Sequence, residues 1–276
     1  TIIIGRRHGK MTGDMARTFV VTSGKGGVGK TTLTATLGRL FASMGEKTVA
    51  LDADLGLNNL DVLLGAAPRI VYDVVDVAEG RCRMSQALVR DTDEPELYIL
   101  PGVHSSDRAA LDSQSMKELV HRLSRSFDIV LVDCPAGIEA GFRRAVSSCD
   151  EAILVTTPLI SSVRDAETVL KLLEKSGINR IFTVVNRVRG DLVLSGEMLS
   201  RGDIERLLGT EIYGMIPEDD GMNLLSNAFD YGIGEGRSAC AALARGILSG
   251  VPEVFDLTKK YRGFFGGIKR RMKRKL

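Results

Sequence analysis

The chain of 276 residues is 44% hydrophobic and 26% charged, a globular composition with enough apolar material for a core. No apolar run reaches the roughly 18 residues that a membrane-spanning helix needs, so the sequence excludes an integral helical membrane protein. The formal net charge of +2 conceals an uneven distribution. Nine basic residues and no acidic one lie between Lys259 and Leu276, which leaves 28 basic and 35 acidic residues, a net −7, for the rest.

Short apolar runs alternate with longer amphipathic segments along the chain. The predicted strands, in chain order, are Thr18–Thr22, Thr48–Leu51, Leu97–Leu100, Asp128–Val132, Ala152–Thr156, Ile181–Val185 and Ile212–Met215. The predicted helices are Lys30–Met44, Ser113–Arg125, Ser162–Lys175, Arg201–Leu208 and Ala239–Leu248. This alternation predicts an α/β fold, with a mostly parallel twisted sheet flanked by helices. We expect a single domain over residues 15–258.

The ends of the chain differ from this body. Thr1–Asp14 is basic, and its apolar stretch is too short for a signal peptide, so we interpret it as an extension or a vector-derived remnant before Met15.

Four widely spaced cysteines without a C-x-x-C pair predict neither a zinc site nor a disulfide framework. A cytoplasmic protein with reduced cysteines is the simplest interpretation.

A glycine-rich segment from Gly24 to Thr32 satisfies the pattern G-x-x-x-x-G-K-[ST] between a predicted strand and a predicted helix. Glycines let backbone N–H groups turn toward phosphate oxygens, and the helix N-terminus adds positive potential. Lys30 can reach the β and γ phosphates, and the Thr31 hydroxyl can ligate Mg²⁺. The segment predicts a phosphate site formed by Gly26, Gly27, Val28, Gly29, Lys30, Thr31 and Thr32.

Lys25 is a second lysine in this loop, and nucleotide binding within one chain does not require it. One interpretation is a solvated surface lysine. The other is a charge offered across an interface to a second nucleotide, as an arginine finger is supplied in trans. Spacing alone does not choose between them.

Acidic residues follow two predicted strands, at the edge where ligands bind in open parallel sheets. Asp54 lies just after Thr48–Leu51, and Asp133 just after Asp128–Val132. Asp133 suits the Mg²⁺ shell, and Asp54 could orient an attacking water. A helix cap is the alternative role for such an aspartate.

These segments resemble those of the MinD/ParA ATPases. The run from Lys25 to Thr32 is similar to their deviant Walker A box, with Lys25 in the place of its extra signature lysine. Asp52–Asn59 resembles switch I, and Asp133–Gly137 resembles switch II. Further blocks resemble those of the MinD branch, which selects the cell-division site: residues 97–101, 161–165 and 216–219. The similarity runs from about Met15 to the C-terminus.

The resemblance implies an ATPase that dimerises around ATP and has low intrinsic activity. Lys25 would reach the partner's phosphates, Lys30 would bind its own nucleotide, and Asp54 would position the hydrolytic water. Thr31 and Asp133 would hold Mg²⁺. The adenine contacts would come from Asn186, Pro217, Glu218 and Asp219. Asn186-Arg187-Val188 is not the N-K-x-D pattern of guanine-selective proteins, which favours ATP.

The same resemblance implies partners. The ATP-bound homodimer would bind the inner face of the cell membrane and recruit a MinC-like division inhibitor. A MinE-like or other topological factor would stimulate hydrolysis and release the dimer. Arg164 and Asp165 are the candidate partner contacts, and a salt bridge between them at a helix start is the alternative.

The basic tail, residues 259–276, also carries an apolar stripe. On a helix, six apolar residues fall within an arc of about 120°: Tyr261, Phe264, Phe265, Ile268, Met272 and Leu276. Basic residues, including Lys269, Arg270 and Lys273, lie mostly on the other side. This pattern predicts an amphipathic helix on an anionic membrane surface. Three glycines oppose a helix in solution, so we expect folding on lipid and tighter binding by two tails in a dimer.

Alternatives remain for the tail and for the function. The tail could be a solvated arm, could bind nucleic acid, or could pack on the body as a core helix. The function could be that of a flagellar-number regulator or a DNA-segregating ATPase of the same superfamily. A metabolic P-loop kinase or ligase is the alternative from another class, and it leaves Lys25 and the tail unexplained.

Overall fold

The computed structural model describes residues 16–54, 59–103, 111–218 and 234–262. Within them, eight strands form one sheet: β1 (Arg17–Thr22), β2 (Thr48–Asp52), β3 (Val89–Arg90), β4 (Leu97–Leu100), β5 (Ile129–Asp133), β6 (Glu151–Thr156), β7 (Arg180–Val188) and β8 (Ile212–Pro217). The order across the sheet is β3-β4-β2-β5-β1-β6-β7-β8. Among the strands of the described residues, only β3 is antiparallel to its neighbour.

Helices cover both faces of this sheet. Those within the described residues are α1 (Lys30–Ser43), α2 (Leu60–Leu63), α3 (Val74–Ala78), α4 (Met84–Ala87), α5 (Ser113–Ser124), α6 (Ala140–Val146), α7 (Ile160–Lys175), α8 (Gly190–Ser195), α9 (Arg201–Leu208) and α10 (Glu235–Ser249). Short 3-10 turns span Ala67–Arg69 and Lys259–Tyr261. The fold is therefore the predicted parallel sheet between two helical layers.

The core is divided into two layers by the sheet. In β5, Ile129 and Leu131 pack with α1 and α10 on one face, whereas Val130 and Val132 pack with α5 and α7 on the other. Alternate residues of a strand point to opposite faces, so a strand buried on both sides must be apolar throughout. That is why these strands appear in the sequence as continuous apolar runs.

The seven predicted strands and five predicted helices are confirmed, with ends that shift by up to four residues. The sequence analysis missed β3 and the short helices α2, α3, α4, α6 and α8. β3 has two residues and these helices have four to seven, too few for either periodicity to be recognisable.

The predicted tail differs from the structure at its beginning. Tyr261 is 3% exposed, and a methyl group at Gly190 would lie 3.3 Å from its ring. Its place on a membrane-facing stripe is therefore wrong, because the ring belongs to the packing of the body. The rest of the tail, residues 263–276, and the N-terminal residues 1–15 lie outside the described residues.

No helix in the described part of the chain is long and apolar enough to cross a membrane.

Candidate functional site

Two carboxylates meet where β2 and β5 end. Asp52 and Asp133 are opposite each other in the parallel register of these strands. Ala50 and Leu131, each two residues before the aspartate of its strand, belong to the core layer that contains α1. Residues two apart in a strand point to the same face, so both carboxylates lie on the α1 face of the sheet. Asp54 contributes to the electrostatic environment of both carboxylates. The fold thus gathers three acidic residues beside the start of α1.

The loop between β1 and α1 closes around the ammonium of Lys30. Lys30 is 8% exposed, and its Nζ lies 3.1 Å from the hydroxyl oxygen of Ser23. The Ser23 hydroxyl in turn donates to the carbonyl of Lys25 at 2.7 Å. Ser23 is fully buried and was missed in the sequence analysis, because it precedes the glycine pattern. Ser23 therefore links the Lys30 ammonium to the loop backbone at Lys25.

Lys25 is exposed, in contrast to Lys30. Its neighbours Gly26 and Gly27 are exposed too, whereas Val28 is 3% exposed and anchors the loop to the core. The loop therefore presents one lysine inward and one outward. This is the arrangement that a charge offered to a second molecule requires, and a solvated lysine would also fit it.

Asp133 is tied to the first turns of α1. Thr34 Oγ1 donates to Asp133 Oδ1 at 3.0 Å, and the Thr31 hydroxyl lies close enough to this carboxylate to lower its pKa. Burial raises the pKa of Asp133 to about 6, although Thr31, Lys30 and Thr34 act in the opposite direction. A buried carboxylate beside a threonine hydroxyl is a donor set that suits Mg²⁺. Thr31 and Asp133, predicted as a pair, are brought together.

Asp52 has a role that the sequence analysis did not assign. Its carboxylate accepts the backbone N–H of Asp54 at 3.0 Å and that of Leu60 at 3.4 Å, so it fixes both ends of the switch I loop. Burial, with the nearby charge of Asp133, raises the pKa of Asp52 to about 8. The adjacency to Asp133 depends on β5 lying next to β2, which no local pattern reveals.

This raised pKa predicts how the stability of the nucleotide-free protein depends on pH. The folded state holds the Asp52 proton up to about pH 8, whereas the unfolded chain releases it near 3.8. Between these values the unfolded state binds fewer protons, so stability falls as pH rises. Asp52→Asn cannot ionise, and we expect its melting temperature to exceed that of the wild type by a few degrees at pH 8 and by less at pH 5. Thermal unfolding in EDTA measures this.

Glu174→Gln, at an exposed position of α7, is the matched control. Its melting temperature relative to the wild type should not change between pH 5 and pH 8. A constant difference for Asp52→Asn over that range would mean that Asp52 titrates normally.

Asn186 contacts the phosphate loop itself. Its Nδ2 donates to the carbonyl of Val28 at 2.8 Å, and a methyl group at Gly29 would lie 2.4 Å from that nitrogen. Gly29 also has φ +97°, a backbone conformation that favours glycine. Asn186 therefore positions the loop, a role that the sequence analysis did not foresee. Its contact with adenine stays a prediction.

A backbone irregularity in β7 places Asn186 there. Arg187 has φ +60°, which is uncommon for a residue with a side chain, and the register with β8 shifts between Val185 and Val188. Such bulges redirect a side chain at the end of a strand. Beyond the bulge, the Glu218 N–H donates to the Val188 carbonyl at 3.0 Å.

This hydrogen bond holds the ends of β7 and β8 together. It brings Asn186 to the same edge as Pro217, which is buried, and Glu218, which is exposed. Asp219 lies outside the described residues, as do the other switch I residues 55–58.

Comparison with known proteins agrees with this geometry. The family described as "CobQ/CobB/MinD/ParA nucleotide binding domain" matches residues 19–228. The septum site-determining protein MinD of Synechocystis sp. is 48% identical over 213 residues, 77% of this chain and 80% of that protein. The chain belongs to the MinD/ParA family. Within this family its curated relatives of 46–48% identity are named MinD.

Solved structures of family members have the same fold. MinD in the MinC:MinD cell division complex of Aquifex aeolicus has a TM-score of 0.78 at 41% identity, covering 85% of this chain and 96% of that chain. MinD of Pyrococcus horikoshii, complexed with Mg-ADP, has a TM-score of 0.75 at 30% identity, covering 86% and 98%. The fold, the family and a nucleotide-binding domain are thus established.

In this member of the MinD/ParA family, the start of α7 packs on the phosphate loop. A methyl group at Gly24 would lie 2.6 Å from backbone and Cβ atoms of Asp165. Asp165 is half-buried there, and Arg164 is exposed. These two described residues form no ion pair with each other, so the alternative of a helix-start salt bridge is wrong. Their contact with a partner stays a prediction.

Proposed function

We propose that the protein is an ATP-dependent, dimerising ATPase that associates with the membrane and selects the division site. The observation that carries this proposal is the phosphate loop, in which Lys30 is buried beside Asp133 while Lys25 is exposed at the rim. The MinD relatives support the assignment to division-site selection rather than to flagellar regulation or small-molecule phosphorylation.

Binding of ATP in this proposal uses the loop backbone, together with side chains at the phosphates, at Mg²⁺ and at the adenine. Gly26, Gly27, Gly29 and Thr32 surround the phosphates, and Lys30 contacts the β and γ phosphates. Thr31 and Asp133 would hold Mg²⁺, which would supply positive charge against the phosphate oxygens. Asp54 orients the attacking water, since it lies beside the same cluster.

The adenine binds at the edge formed by the ends of β7 and β8. Its contacts there come from Asn186, Pro217, Glu218 and Asp219.

Dimerisation would complete each site. Because Lys25 is exposed, it is available to the phosphates of a second subunit, where its charge stabilises the transition state. Two nucleotides would thus be shared between two chains, and loss of the γ phosphate would release the dimer. This gives a slow enzyme whose turnover depends on assembly.

Membrane association would come from the tail. Phe264, Phe265, Ile268 and Met272 insert, while Lys269, Arg270 and Lys273 face anionic headgroups. One short tail binds weakly, and two tails in a dimer gain avidity. The protein is accordingly cytoplasmic with ADP and peripheral on the inner face of the cell membrane with ATP.

The partners would dock near the start of α7. The MinC:MinD complex of the Aquifex relative supports a MinC-like inhibitor as one partner. Arg164 is exposed and Asp165 contacts Gly24, so a MinE-like or other factor bound there would lie against the phosphate loop. Such a factor would stimulate hydrolysis and release the dimer.

The test is ATP hydrolysis in solution, with neutral vesicles and with anionic vesicles. We expect a low rate in the first two conditions and a rise of several-fold with anionic lipid. Asp54→Asn should keep ATP-dependent vesicle binding and lose turnover, since it retains the loop and the tail. A rate that is high in solution and indifferent to lipid would contradict the proposal.

A further inference from the structure

Residues 254–262, which we name the strap, lie tightly on the start of α8. A methyl group at Gly190 would lie 2.3 Å from the Leu257 carbonyl oxygen. Leu257 and Tyr261 are 4% and 3% exposed. The strap is therefore packed on the body, and it includes residues 259–262, the beginning of the basic tail.

Basic residues at the end of the strap are already paired with carboxylates. Lys260 forms an ion pair with Glu235 of α10. Arg262 lies 3.3 Å from Asp256, and its guanidinium donates to Thr258 Oγ1 at 2.7 Å. The chain thus leaves the described structure from a fixed point at Arg262.

A cavity of about 330 Å³ lies beneath the strap, between it, α8, α9 and the ends of β7 and β8. Its apolar lining consists of Val188, Val193, Met215, Val254, Phe255 and Leu257. Arg262 is one of its walls, and Ser200, Arg201, Asp256 and Thr258 also line it. Val188, Met215 and Leu257 belong to the core layer opposite α1, so the cavity is separate from the phosphate loop. An apolar cavity of about 150 Å³ holds a benzene ring. This one has room for two.

We propose that the cavity receives Phe264 and Phe265 of the same chain when no membrane is present. Phe264 and Phe265 lie two and three residues after Arg262, a wall of the cavity, so an extended chain places their backbones at most about 7 and 11 Å from it. Both phenyl rings are therefore within reach. The six basic residues between Lys269 and Lys275 are also attracted to the rest of the chain, which has 31 basic and 35 acidic residues and a net charge of −4.

The inference rests on the proposed function, because it concerns how the membrane tail is held before it binds lipid. Docked phenyl rings are not available for insertion, so the cavity competes with the bilayer. The apparent membrane affinity of a single chain is then its intrinsic affinity multiplied by the fraction of chains whose tail is undocked.

A single tryptophan tests this, since the chain contains none. In lipid-free Phe264→Trp with ADP, we expect blue-shifted fluorescence that resists acrylamide quenching. Gly202→Phe is designed to fill the cavity: Gly202 is an exposed lining residue, and a Cβ there would meet no atom within 4 Å, so the variant fits without a clash at Cβ. Added to Phe264→Trp, it should shift the emission to the red and raise quenching several-fold. Alone, it should raise vesicle co-sedimentation with ADP several-fold.

Glu174→Phe places the same aromatic side chain on the exposed side of α7, away from the cavity, and as a control it should alter neither readout. Val193→Phe fills the cavity from α8 and should reproduce Gly202→Phe. Emission typical of an exposed indole, a blue shift lost on dilution, or no response to both filling variants would overturn the proposal. Wild-type vesicle binding that still depends on ATP would then leave the proposed function standing.

Discussion

Lys25→Ala is expected to lower the lipid-stimulated rate of ATP hydrolysis by about a hundredfold or more, because a charge supplied in trans contributes about 10³–10⁵ to such reactions. ADP binding should persist, since Lys30 and the loop backbone are intact and Lys25 is exposed. The measurement is steady-state hydrolysis with anionic vesicles, beside ADP affinity. Lys175→Ala, at the exposed end of α7, is the control and should behave like the wild type.

Mixing two inactive variants decides whether Lys25 acts across an interface. In a mixed dimer of Lys25→Ala with Asp54→Asn, one site has its own Asp54 and receives Lys25 from the partner. Random pairing makes half of the dimers mixed, each with one complete site, so about a quarter of the wild-type rate should return. No recovery, or a Lys25→Ala variant that keeps its stimulated activity, would remove the interface role.

Phe264→Asp is expected to abolish ATP-dependent binding to anionic vesicles. Burial of a phenylalanine side chain contributes about 1.5–3 kcal/mol, and two tails act together in a dimer. The loss should therefore exceed the tenfold that about 1.4 kcal/mol represents. Co-sedimentation with ATP and with ADP measures it, while nucleotide affinity in solution should stay unchanged.

The matched control places the same charge on an exposed apolar residue of the body. Val71 is 76% exposed, and Val71→Asp should leave vesicle binding unchanged. Equal wild-type binding with ATP and ADP would contradict the nucleotide switch. Retained binding by Phe264→Asp would contradict the insertion face and would favour a purely electrostatic arm.

Local patterns in the sequence were enough for the main elements. The glycine pattern and the apolar runs of β1, β2 and β5 depend on residues that are neighbours in the chain, so periodicity and turn chemistry identify them. The pairing of Thr31 with Asp133 was also foreseen, because carboxyl ends of parallel strands share one edge of a sheet. Short elements such as β3 were not, since two residues carry no period.

The sequence by itself determined an α/β fold with a phosphate loop, an extra lysine in that loop and a charge division between an acidic body and a basic tail. Only the tertiary structure decided which distant residues share a site. Asp52 meets Asp133 because β5 lies between β1 and β2, and Asn186 reaches Val28 because a bulge turns the end of β7. Tyr261 packs on Gly190 and so belongs to the body. Such contacts depend on topology and close packing, which leave no periodic trace along the chain.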